Sequence, residues 1–158
     1  MDTTPQKNNY VIVNGCFDVL HAGHIRLLNY AEGWARKRGS KFFVCIDSDE
    51  KVKRDKGSLR PYFNQYERSL LVHSLYACEI DEVMPFDTDE ELERIIKDLN
   101  PQYLIKGESW EGNVVGSQYV GEVVFLPIDL DISTSEIEKR IRSKYLKELK
   151  LQHPGADL

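Results

Sequence analysis

No apolar run in these 158 residues approaches the roughly 20 needed to cross a bilayer, so an α-helical membrane span and a membrane partner are not expected. Residues 1–9 are polar and lack the basic-then-apolar order of a secretion signal. The three cysteines, Cys16, Cys45 and Cys78, include no C-x-x-C pair. Cys45 lies inside an apolar run and Cys16 stands beside Phe17, so buried free thiols are expected instead of a disulfide or a metal site. A reducing, cytoplasmic setting follows as the expectation. Excess positive charge is lacking too. With 21 Lys and Arg against 26 Asp and Glu, the net charge of -5 argues against a nucleic-acid partner. No internal repeat, linker or low-complexity segment interrupts the chain, which reads as one domain over residues 1–158.

What is present alternates between β-rich runs and helical spacing. Residues 10–13 read as a first strand that ends at Asn14-Gly15. Ile25, Leu27, Leu28, Ala31, Trp34 and Ala35 then follow a helical period up to Gly39. Residues 41–46 form a strand that is apolar on both faces, as buried parallel strands are. Residues 47–60 are polar and basic, a loop or a helix that breaks up. Residues 64–78 are helical through Leu70, Leu71, Leu75 and Ala77. A strand at 82–86 precedes a helix at 89–99, capped by Asp89 and stopped by Pro101. Strands at 103–105 and 122–126 flank the loop 107–121, and a last helix, 131–149, starts at Ser133 or Thr134. Such alternation predicts a parallel sheet with helices on both faces. Ligands of such sheets bind beyond the carboxyl ends of the strands, near the switch in strand order. The polar ends of the first, second and fourth strands are therefore the places to look.

One of those ends carries Gly15-Cys16-Phe17-Asp18-Val19-Leu20-His21-Ala22-Gly23-His24, running straight into a helix. Free N–H groups and partial positive charge at a helix start suit a phosphate, and Gly23 allows close approach to the backbone. Histidines three apart lie on one side of the turn and could hydrogen-bond to phosphate oxygens as charge builds. The same pair could equally cap and pack an ordinary strand-to-helix turn. Zinc is a poor reading, because H-E-x-x-H is absent and no third ligand is nearby, so no protein-held metal is expected. Gly15 belongs to neither a G-x-G-x-x-G nor a Walker A pattern. The basic stretch from Lys51 to Arg60, with Lys53 and Lys56, reads either as a solvated charged loop or as a phosphate-binding wall.

Asn14-Gly15-Cys16-Phe17-Asp18-Val19-Leu20-His21-Ala22-Gly23-His24 resembles the first motif of the cytidylyltransferase-like, or His-x-Gly-His, nucleotidyltransferases. Ile132-Ser133-Thr134-Ser135 resembles the family's I-S-T-[ST] signature at the start of the last helix, and the likeness runs from about residue 10 to 141. The resemblance implies an α/β fold, a Rossmann-like five-stranded parallel sheet with helices on both faces. It also implies transfer of a nucleoside monophosphate from CTP or ATP to a phosphorylated small-molecule acceptor, with pyrophosphate leaving and no covalent intermediate. Under that likeness His21 and His24 stabilise charge on the α-phosphate. Lys53 or its neighbour Lys56 holds phosphates, and Ser133, Thr134 and Ser135 offer hydroxyl and N–H groups to the β- and γ-phosphates. Mg2+ bridges the phosphates. Asn14, Gly15, Cys16, Phe17, Asp18, Gly23, Lys106 and Gly107 fall in the nucleotide site, Arg60, Arg68 and Trp110 in the substrate site, and a homodimer is implied.

Details point to two branches. Asn14 to Asp18, Lys56-Gly57, Arg60-Pro61, Ile105-Lys106-Gly107 and Val115-Gly116-Ser117 are similar to the adenylyltransferase domain of ADP-heptose synthases. Trp110-Glu111-Gly112 and the run from Glu122 to Pro127 look like glycerol-3-phosphate cytidylyltransferases. The R-T-x-G that precedes I-S-T in the latter is replaced by Ile128-Asp129-Leu130-Asp131, with neither arginine nor glycine. The expected activity is thus transfer to a phosphorylated sugar or polyol, with ATP and CTP both open. A cofactor-forming adenylyltransferase (acting on FMN, nicotinamide mononucleotide or phosphopantetheine) and a non-catalytic nucleotide-binding module are the alternatives.

Overall fold

The computed structural model describes residues 6–75, 79–108, 112, 114–127 and 132–152. Five parallel strands form one sheet in the order β3-β2-β1-β4-β5, where β1 is Asn8–Gly15, β2 Lys41–Asp47, β3 Glu82–Phe86, β4 Pro101–Gly107 and β5 Glu122–Leu126. The alternation of side chains along a strand divides the core in two. Val11 and Val13 of β1, with Phe42, Val44 and Ile46 of β2, pack on Leu28, Ala31 and Ala35 of α1 (Ala22–Arg38) and on Val72 of α3 (Gln65–His73). On the other face Ile12, Phe43, Cys45 and Leu104 meet Leu92 and Ile96 of α4 (Asp89–Leu99). The fold is therefore a Rossmann-like α/β sheet with helices on both faces. Phe42 to Ile46 are all at most 7% exposed, which explains why β2 has no polar face. Fully burying such a side chain is worth roughly 1.5–3 kcal/mol, so these central strands dominate the stability.

Chain order reverses between β1 and β4, because the chain moves outward from β1 through β2 to β3 and then returns to β4. A crevice opens at that point beyond the carboxyl ends of the strands. Several boundaries differ from those read in the sequence. The basic stretch is not a loop throughout: α2 (Asp49–Lys56) is capped by Ser48, whose side chain accepts from the Lys51 N–H, and ends at Gly57. Helix α3 stops at His73, with Ser74 as C-cap; residues 76–78, which carry the expected end of this helix and Cys78, lie outside the described residues. Leu70 and Leu71, expected on its apolar side, are exposed, and Val72 is buried in their place. Thr88, not Asp89, caps α4, and Asn100 in the left-handed region closes it one residue before Pro101 begins β4. In α5 (Thr134–Gln152) the only buried residue is Thr134, and the Ser133 side chain accepts from the Glu136 N–H as a cap would.

Candidate active site

At the end of β1 the chain turns through Phe17 and Val19, both with positive φ, 53° and 50°. A β-branched residue in that region is strained by roughly 1–3 kcal/mol, and the turn persists because its neighbours hold it. The Phe17 ring lies over Gly15, 3.3 Å from where a Cβ would stand, so a side chain there would crowd the ring. The turn delivers His21 as the N-cap of α1 and His24 as its third residue. The Gly23 N–H donates to His21 Nδ1 at 3.2 Å and the His21 N–H donates to His24 Nδ1 at 3.4 Å, a reciprocal capping box. The two imidazoles stack with centroids 3.7 Å apart and planes 20° apart. Gly23 makes room for this arrangement: a Cβ there would stand 3.1 Å from the His21 ring.

The capping box settles the chemistry of both rings. An Nδ1 that accepts a backbone N–H cannot carry a proton, so the neutral ring carries it on Nε2 and presents a donor on its far side. Burial holds the His24 pKa down at about 3, helped by the charges of His21 and Lys56. His21 is lowered in the same way, by burial first and then by Lys56. Near neutral pH both rings are uncharged Nε2–H donors on one side of the helix start.

Asp18 joins this turn to the other walls. Its carboxylate, 1% exposed, accepts from Arg60 Nε at 2.8 Å and from the Tyr62 and Phe63 backbone N–H groups at 3.0 Å. Its carbonyl oxygen accepts from the Thr134 hydroxyl at 2.6 Å. Asp18 was expected at the nucleotide; its oxygens are instead occupied within the protein. The same applies to the Thr134 hydroxyl, which leaves the N–H groups of the first turn of α5, and Ser135, for a ligand. Arg68, expected at the substrate, is 0% exposed: Nε donates to the Phe63 carbonyl, one terminal nitrogen to the Cys16 carbonyl at 2.7 Å and the other to Asp49 at 2.8 Å. It positions the turn and the basic segment and touches no open space. Cys16 and Phe17 are buried as well, and burial pushes the Cys16 thiol up, away from reactivity.

Between these walls lies a cavity of about 760 Å3, onto which His21, His24, Lys56, Arg60, Ser133 and Ser135 open. The lysine of the basic segment that lines it is Lys56. Lys53, first choice from the sequence, is exposed on α2 and pairs with Glu50 at 2.6 Å. Arg60 lines the cavity with its Nε turned back to Asp18. At the floor of the crevice Lys106 of β4 reaches across to β1, donating to Asn14 Oδ1 at 3.1 Å, and Gly107 ends the strand in a buried position. Burial lowers the Lys106 pKa to about 8, against the opposing pull of Asp47 at the end of β2. Trp110, Ser109 and the 128–131 stretch lie outside the described residues. Among the described residues no group of three or more His, Cys, Asp or Glu converges as metal ligands would. A smaller cavity, about 310 Å3, is lined by residues near the opposite end of β2, including Lys41 and Asp81, far from the strand ends where ligands of this fold bind.

Gly57, Ser58 and Leu59 of the basic stretch also line the cavity, and outside that stretch two cavity residues escaped the sequence reading, Tyr62 and Glu138. Glu138 follows Thr134 by four residues, and on a helix that spacing alone places it over the same side.

Residues 12–145 match the protein-family model described as Cytidylyltransferase-like. The chain is 39% identical over 149 residues to the bifunctional protein HldE of Alcanivorax borkumensis, covering 90% of this chain and 30% of that protein. It is 42% identical over 137 residues to the HldE of Campylobacter curvus, covering 86% of this chain and 28% of that protein. It thus spans less than a third of the length of these curated relatives. A lipopolysaccharide core biosynthesis protein from Thermoplasma volcanium shares the fold, with a TM-score of 0.56 at 20% identity over 75% of this chain and 96% of that one.

Proposed function

The chain belongs to the cytidylyltransferase-like family of nucleotidyltransferases, and on that premise we propose that it transfers a nucleoside monophosphate from CTP or ATP to a phosphorylated sugar or polyol, releasing pyrophosphate. The observation that carries this reading is the pair of neutral imidazoles whose tautomer is fixed by the capping box, opening with Lys56, Arg60 and the start of α5 onto one cavity. An oxygen of the acceptor phosphate attacks the α-phosphorus, the bond to the bridging oxygen breaks, and pyrophosphate carries the electron pair away. The attacking phosphate is already anionic, so no general base is needed. His21 and His24 donate through Nε2–H to non-bridging oxygens of the α-phosphate, where charge grows as the bond forms. Lys56 and the first-turn N–H groups of α5, with Ser133 and Ser135, hold the β- and γ-phosphates, and the helix dipole favours that charge.

Glu138 apart, the polar side chains around the cavity carry nitrogens and hydroxyls, which would suit Mg2+ arriving on the triphosphate and offsetting charge there, with no cage of protein ligands. Asn14 and Lys106, with Gly15 and Gly107 beside them, form the nucleoside end of the site at the switch point. Trp110 belongs to the acceptor side of this proposal. No described helix is long and apolar enough to cross a membrane, and the buried free thiols of Cys16 and Cys45 suit the reducing cytoplasm proposed as its compartment. The proposed assembly is a homodimer, which sedimentation would check.

A pyrophosphate-release screen tests the activity: CTP and ATP with Mg2+ against glycerol 3-phosphate, heptose 1-phosphate and phosphocholine. Release with one of the first two acceptors is the expected result. Nucleotide binding, seen as a raised melting temperature, with no release from any pair would overturn the transfer and favour a binding module.

A further inference from the structure

A carboxylate stands in the wall of a cavity otherwise built for anions. Glu138 of α5 lines it together with Lys56 and Arg60, and its side chain is 48% exposed. It does not hold Arg60 in place. The Arg60 guanidinium is set by Asp18 through Nε at 2.8 Å, whereas Glu138 Oε2 is 3.9 Å from a terminal nitrogen. Glu138 shares this wall with Tyr62, and a carboxylate has more lone pairs than one distant guanidinium nitrogen can use. An acid so placed repels a triphosphate and serves ligand binding only if some part of the ligand donates to it. Hydroxyl and ammonium groups are the candidates. An ammonium group is disfavoured here, because the Arg60 guanidinium already occupies the Tyr62 ring at 4.9 Å and Lys56 lines the same wall.

We propose that Arg60, Tyr62 and Glu138 form the acceptor subsite, in which the terminal guanidinium nitrogens of Arg60, not engaged by Asp18, take the acceptor phosphate and Glu138 accepts from a neighbouring hydroxyl. The subsite selects acceptors that carry a hydroxyl within a few bonds of the phosphate, that is, sugar and polyol phosphates. It rests on the transfer proposed above and adds the groups that choose the acceptor. Glu138 lies on an exposed helix face, so its variants are expected to fold with an unchanged melting temperature.

The test is a cycle that crosses protein and substrate changes. The acceptor KM is measured for glycerol 3-phosphate and for its counterpart without the secondary hydroxyl, propane-1,3-diol monophosphate, in the unsubstituted protein, Glu138→Gln and Glu138→Ala. Removing the carboxylate is expected to raise the acceptor KM by about 10- to 100-fold, the scale of one hydrogen bond to a charged group, with the nucleotide KM within about twofold. Removing the substrate hydroxyl should cost the unsubstituted protein a similar factor and Glu138→Ala almost nothing more. Glu138→Gln, which keeps an acceptor oxygen without the charge, should fall between. Independent, multiplying losses, an unchanged acceptor KM in Glu138→Ala, or a preference for phosphocholine would overturn the subsite while the transfer reading stands. If no polyol or sugar phosphate is turned over at all, both fall together.

Discussion

A histidine whose Nδ1 accepts a backbone N–H has no choice of tautomer, and at residues 21 and 24 that constraint converts two side chains into aimed donors. His24→Ala is expected to lower turnover by about 100- to 1000-fold, the scale of losing one charge-stabilising donor, with pyrophosphate release as the readout. A rate near that of the unsubstituted protein would remove His24 from the chemistry. Arg68 works differently. Arg68→Met leaves Asp49 and two carbonyl groups without their buried cation, so urea unfolding should show a loss of about 3–5 kcal/mol. The histidine pair was legible in the sequence because the spacing and the helix start are local. Arg68 was not, because its burial depends on the Cys16 carbonyl 52 positions away, and the letters are the same whether an arginine points outward or inward. Lys53 and Lys56 posed the same difficulty: three positions apart on one short helix, one opens onto the cavity and the other pairs with Glu50.

Whole elements were more legible than their ends. β2 and β3 were read within a residue, β2 because an unbroken apolar run bounded by polar residues has few other ways to be buried. Caps were missed where two good candidates adjoin. Thr88 and Asp89 both suit the start of α4, and the extended backbone at Thr88 decides it, which sequence does not display. Thr88→Ala should lower stability by about 1 kcal/mol in thermal or denaturant melts. Asp89→Ala, which loses an ion pair with Lys51 at the helix surface, should lower it by less. Equal losses would mean that the cap is shared. In α3 the helical period was right but its phase was not: Leu70 and Leu71 face outward, and Val72 with Arg68 fills the inner side.

For the molecule as a whole, the half-buried neutral His24 ties stability to pH. Its folded pKa, about 3, lies below the ordinary histidine value near 6.5, so between those values the unfolded chain binds more protons than the folded one. Stability is therefore complete above about pH 6.5 and declines as pH falls below it. The melting temperature should drop between pH 7 and pH 5, and His24→Gln should flatten that slope; parallel slopes would place the proton uptake elsewhere. Asp47, whose carboxyl is held high by burial, acts in the opposite sense and nearer the carboxylate range. The sheet and its switch point followed from the order of elements, whereas the joining of the three cavity walls through one residue did not, because the Asp18 carboxylate reaches residues 42 to 45 positions ahead and its carbonyl oxygen another 116 away. That junction has a consequence for solvent exchange. The amide hydrogens of Tyr62 and Phe63 sit in a surface segment with no strand partner and would ordinarily exchange with deuterium within seconds. Bonded to a carboxylate that water does not reach, they should exchange slowly, at the pace at which the turn, the basic segment and the start of α5 come apart. Two loop amides thus act as a clock for the assembled site, readable with no substrate present.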